Sequence, residues 1–179
     1  MVSVNRRPTR AGLDAVGGAI SEGEFGSLLT EVFRASSHAV FRWDHWTRLR
    51  KRPAHVFSYR IARENSMYRI SFGFLPRAAE ADSIAVGQHG AIYIDRDTSQ
   101  VLRVLQIADG IPDDFPVTNA STLLDYDFIR VGGRQFLLPL DADVRLASRQ
   151  ISTRNEVRFR GYRKFSGESS ISFETPAKP

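Results

Sequence analysis

The chain of 179 residues contains no cysteine. That excludes a disulfide framework, a zinc ribbon, an iron–sulfur site and a thiol nucleophile. Long hydrophobic runs are missing too. No apolar stretch approaches the roughly 18–20 residues of a membrane-spanning helix. The sequence has no HExxH, no GxSxG elbow, no GxGxxG and no Walker loop, so zinc hydrolysis, acyl transfer and nucleotide chemistry lack a motif. Charge is nearly balanced, with 25 Lys+Arg against 20 Asp+Glu and a net charge of +5. The excess is arginine spread along the chain, whereas a nucleic-acid binder concentrates its charge on one element.

What the sequence does hold is apolar and periodic. Hydrophobic residues make up 42% of the chain, enough for a real core. The length suits one domain. Residues 1–20 mix Arg, Gly, Pro and small residues without sustained period and read as a flexible arm. Arg6 and Arg7 are followed by no apolar stretch of about 7–15 residues, so this is not an intact secretory signal. Residues 21–175 form the single domain expected, and 176–179 a tail.

Residues 22–35 carry the one good helix signal. Phe25, Leu28, Leu29, Val32 and Phe33 make one apolar stripe, and Ser21 with Glu24 has the capping-box spacing. From Ala39 onward the period falls to 2. Phe41 and Trp43 alternate with Arg42 and Asp44; Phe57, Tyr59 and Ile61 with Ser58 and Arg60; Tyr68, Ile70, Phe72 and Phe74 with Arg69, Ser71 and Gly73. Extended segments continue over 92–94, 101–107, 123–131, 135–146, 155–165 and 170–173. Short turns such as Asp97-Thr98-Ser99 and Gly132-Gly133 separate several of them.

Two connections are long, 76–88 and 109–121, and in the second Ile111 and Phe115 should fold back over the sheet. Pro139 inside a strand pattern marks an edge or a bend. The fold class expected is therefore α+β. It is a strongly curved antiparallel sheet of eight or nine strands in a meander, a half-barrel covered by one N-terminal amphipathic helix.

Polar constellations read as structure. His38, His45, His55 and His89 lack metal-site spacing. Asp95 and Asp97 fall in a hairpin turn, where Asp bonds backbone amides. Arg48–Arg52 looks like a solvated hairpin tip, and Arg158 and Arg160 alternate outward on a strand with a wet face. No catalytic residue, cofactor or metal is expected. The aromatics are more informative. Phe41, Trp43, Trp46, Phe57, Tyr59, Tyr68, Phe72 and Phe74 crowd the first three strands, either as core or as the lining of a concave apolar surface.

These residues resemble the LolA/LppX-like half-barrel of bacterial lipoprotein carriers. Ile92-Tyr93-Ile94-Asp95-Arg96-Asp97-Thr98 followed by Val101-Leu102-Arg103 is similar to a "YxDxxTG…vlR" hairpin of an exported branch of that group. Leu124-Asp125-Tyr126, Leu137-Leu138-Pro139 and the run 155–165 extend the likeness over about 25–175. Ser99 stands where such carriers usually have Gly.

The resemblance implies a non-catalytic, periplasmic or exported binding module. Its concave face would hold a lipid, an acyl chain or a lipidated protein on Phe41, Trp43, Phe57, Tyr59, Tyr68, Ile70, Phe72 and Phe74. Any membrane contact would be peripheral, and no nucleic acid is expected. The alternative is a protein-interaction or sensory domain with a solid core and no ligand.

Overall fold

The computed structural model describes residues 2–4, 7–9, 18–19, 27–73 and 82–164. Three short strands come first: β1 (Val2–Val4), β2 (Arg7–Thr9) and β3 (Gly18–Ala19). They lie within the stretch expected to be an arm. The helix α1 (Ser27–Phe33) follows, inside the predicted 22–35. The Ser21/Glu24 capping box falls outside the described residues.

Nine strands come next: β4 (Val40–Leu49), β5 (Arg52–Ile61), β6 (Arg69–Gly73), β7 (Asp82–Ala85), β8 (Gly87–Asp95), β9 (Val101–Asp109), β10 (Val117–Val131), β11 (Arg134–Ser148) and β12 (Ser152–Arg158). Every described pairing is antiparallel. Seven strands form one open sheet in the order β12-β11-β10-β9-β8-β5-β4, and β3-β6-β7 form a second. Part of the connection expected over 76–88 is therefore strand, because β7 returns alongside β6. The expected segment at 170–173 lies outside the described residues.

Turn chemistry sets the hairpins. Gly132 and Gly133, at φ 57° and 80°, close β10 onto β11 with the doubly left-handed turn that matches sheet twist. Arg50 and Lys51, at φ 47° and 68°, do the same between β4 and β5 without glycine. Pro139 sits at an irregularity, not at an edge. The register slips between Asp125 and Tyr126, Pro139 faces Tyr126, and Leu140 is the extra residue. Gly90 is required by close approach: a Cβ there would lie 1.8 Å from the Leu105 carbonyl oxygen.

Cross-strand partners share a face, so register assigns the two faces of the large sheet. One row crosses all seven strands as Trp43–Phe57–Ile92–Val104–Leu124–Ala142–Val157. The adjoining row of the opposite face is His45–Val56–Tyr93–Arg103–Asp125–Asp141–Arg158. One face is thus apolar and the other largely ionic.

Two buried clusters occupy the apolar side. In the first, Leu28 and Val32 of α1 pack with Tyr59, Ile61, Ile92, Val104 and Leu124. In the second, Ile70 of β6 packs with Val86, Phe115, Val117 and Leu146. Phe115 and Ile111 do fold back as expected, joining the second cluster.

A polar relay links α1 to the sheet. The Glu31 carboxylate accepts from the Met67 backbone N–H at 2.8 Å and from Gln88 Nε2 at 2.7 Å. Gln88 Oε1 in turn accepts from Gln106 Nε2 at 2.7 Å. Among the described residues no helix is long and apolar enough to cross a membrane.

Candidate functional site

The eight residues expected to line one apolar surface divide between the two sheets. Phe41, Trp43, Phe57 and Tyr59 do share a face, as cross-strand pairs Phe41–Tyr59 and Trp43–Phe57. Tyr59 is buried in the first cluster, together with Leu28 and Val32 of α1. Phe57 is half-buried. Ile70 is buried in the second cluster, with Tyr68 and Phe72 packed against it. Phe74 lies outside the described residues.

Burial raises the Tyr59 phenol well above the usual tyrosine range and pushes Tyr68 up to about 12. These hydroxyls stay protonated. Each stays neutral within packed surroundings.

The exposed remainder makes a shelf along the terminal strand β4. Phe41 is 40% exposed, Trp43 55% and Trp46 57%. Phe33, at the end of α1, is 51% exposed and stacks on Phe41 with ring centroids 5.6 Å apart. Trp46 packs at 3.8 Å on the His55 ring.

Strict alternation from Trp43 would put His45 beside it and send Trp46 to the other face. The register slips between Trp43 and His45, so Asp44 is extra and Trp46 rejoins the aromatic face, opposite His55. The only sequence signal for it was Asp44 itself, a poor strand former inside a strand pattern. Phe33 was legible in the helix stripe, but not its meeting with Phe41.

The opposite face carries charge in fixed pairs. Arg103 donates two bonds to Asp125, at 2.7 and 2.8 Å. Arg158 donates to Asp141 at 2.9 Å. Arg145 and Arg154 both donate to Asp143 and hold its carboxyl well below the usual carboxylate range. Asp125 and Asp141 stand directly opposite one another, and each is neutralised by its own arginine. Arg50, from the β4–β5 turn, also reaches Asp125 and the Tyr126 carbonyl, although β5 and β10 are three positions apart in the sheet.

Asp95 is 1% exposed and behaves as expected of a turn residue. It accepts from the Thr98 N–H at 2.8 Å, the Thr98 hydroxyl at 2.9 Å and Arg52 Nε at 2.6 Å. Its carboxyl titrates at about 2, lowered chiefly by the Arg52 bond against the opposing effect of burial.

Among the described residues no group of three or more His, Asp or Glu side chains could hold a metal ion. Asp125, Asp141 and Asp143 are bound by arginines, and Asp95 by an arginine and turn amides. The aromatic shelf is the exposed apolar group of β4 and the end of α1. No family model, curated protein or solved structure matches the chain.

Proposed function

We propose that this protein is a non-catalytic binding module for a hydrophobic ligand, a lipid acyl chain or a lipidated segment, held on the aromatic shelf of β4 and α1. The supporting observation is the shelf itself. Phe33, Phe41, Trp43 and Trp46 lie side by side with 40–57% of their surfaces open. Isolated exposed apolar residues are ordinary, but a contiguous aromatic group of this kind marks a binding surface.

In this reading the large sheet curls into a half-barrel with α1 on its concave, apolar side. The ligand then extends the core outward from Tyr59 and Phe57 over Trp43. A periplasmic or exported setting follows from the same reading.

The test uses the chain's only two tryptophans, Trp43 and Trp46, both of which sit on the shelf. Titration with a fatty acid should shift tryptophan emission to the blue. Trp43→Ser/Trp46→Ser should abolish uptake of a fluorescent fatty-acid probe while leaving stability within about 0.5 kcal/mol, as surface substitutions do. An unchanged emission spectrum and no probe uptake would sink the proposal.

The second reading is a protein-interaction domain with a solid core. It is favoured by the complete burial of Val32, Ile61, Ile92, Val104 and Leu124, which leaves the interior filled by the chain's own side chains.

A further inference from the structure

The net charge of the chain is not spread evenly once the fold is known. Residues 27–67, which carry α1, β4 and β5, hold eight Arg and Lys against three Asp and Glu. That excess of five equals the excess of the whole chain. Elsewhere the charges balance, and on the ionic face of the sheet they are paired off.

Among the described residues, the exposed Arg42, Arg48, Lys51 and Arg63 of 27–67 take part in no ion pair. Of the two in β4, Arg48, opposite Pro53, lies on the shelf face beyond Trp46, whereas Arg42, opposite Ser58, lies on the other face; Lys51 closes the hairpin. Arg63 lies at the far end of β5, near exposed Met67, which receives the Arg34 guanidinium on its sulfur. Unpaired cations, Arg48 and Lys51, therefore stand at the hairpin end of the aromatic shelf.

We infer that the shelf docks on the surface of an anionic lipid bilayer, with Trp43, Trp46 and Phe41 entering the interface and Arg48 and Lys51 meeting the headgroups. This rests on the shelf being the binding surface, and it names the source of the lipid. The chemistry is that of a peripheral anchor. Tryptophan favours the boundary between headgroup and chain, where its ring is apolar and its N–H is wet. Each cation near a negatively charged leaflet strengthens partition by roughly fivefold. The ten-residue β4 spans roughly 33 Å at about 3.3 Å per residue, giving a long narrow footprint. Asp44 sits at the strand's irregularity beside Trp43, and its carboxylate pairs with His45 at 3.3 Å.

The experiment is vesicle flotation of the whole protein, with tryptophan emission read in parallel. The proposal expects binding to phosphatidylglycerol-containing vesicles with a blue shift, and at least tenfold weaker binding to pure phosphatidylcholine. Arg48→Ala/Lys51→Ala should lose at least tenfold, and so should high salt. Trp43→Ser/Trp46→Ser, followed by flotation alone, should lose as much. Circular dichroism checks that each variant folds. Uptake of the soluble fatty-acid probe without vesicle binding would overturn membrane docking and leave the shelf as a ligand site. Failure of both would overturn the shelf reading as well. Equal binding to neutral and anionic vesicles, or binding to a generic DNA duplex in place of vesicles, would also overturn the inference.

Discussion

Asp95 shows how much one carboxylate can hold in place. Its two oxygens serve the Thr98 amide and hydroxyl, the Asp97 amide and the Arg52 guanidinium. A group with its pKa lowered in the folded state stabilises the fold above its unfolded pKa and ceases to do so as pH falls through the folded value. Here the unfolded value is about 3.8 and the folded about 2. The contribution is about 2 kcal/mol at neutral pH and should fade between about pH 4 and pH 2. Asp95→Asn should cost about 2–4 kcal/mol in urea unfolding and should flatten the acid limb of the stability profile over that window. Four residues on, Ser99 adopts φ 57° at the end of the same turn. A side chain in that left-handed region costs about 1–2 kcal/mol. Ser99→Gly should therefore raise stability by about 1 kcal/mol, readable as a higher urea midpoint with unchanged slope. Both effects belong to turn chemistry that the sequence displayed openly, since Asp and Thr at hairpin spacing have few other uses.

At the scale of elements, α1 is a short helix of seven residues. Seven residues cannot persist alone in water, so its stability comes from what it buries. Leu28 is 6% exposed and Val32 is fully buried against Tyr59 and Ile61. Leu28→Ala should cost about 2–5 kcal/mol, measured by thermal or chemical unfolding, because the rigid sheet beneath cannot collapse into the space. Period alone identified this helix and most of the strands, because one buried face imposes 3.6 on a helix and 2 on a strand. Period alone could not find the slip at Asp44. One extra residue reverses every side chain that follows, so the aromatic assignment held through Trp43 and failed to include Trp46. Nor could it separate Ile70 and its neighbours from Phe57 and Tyr59. Strands with the same alternation belong to different sheets here, and only pairing decides which.

For the whole molecule, the division into a dry face and an ionic face follows directly from alternation, and the antiparallel character follows from the short turns. The candidate site was less legible. Four of the eight residues singled out for it share the large sheet's apolar face, and burial then splits even those, with Tyr59 covered and Trp43 open. Burial depends on which elements lie overhead, a long-range property that local pattern does not encode. The order of the large sheet has a kinetic consequence. Its strands follow one another as sequence neighbours except at one seam, where β5 pairs β8 across the intervening residues 62–86. Hairpins close within microseconds, whereas a seam that must gather a loop of that length waits on chain diffusion and loop entropy. The barrier to folding should therefore be crossed when β5 finds β8. Ile92→Val, at the seam, should slow refolding, while Val157→Ala, on the far strand β12, should mainly quicken unfolding, a contrast readable in the two arms of a chevron plot.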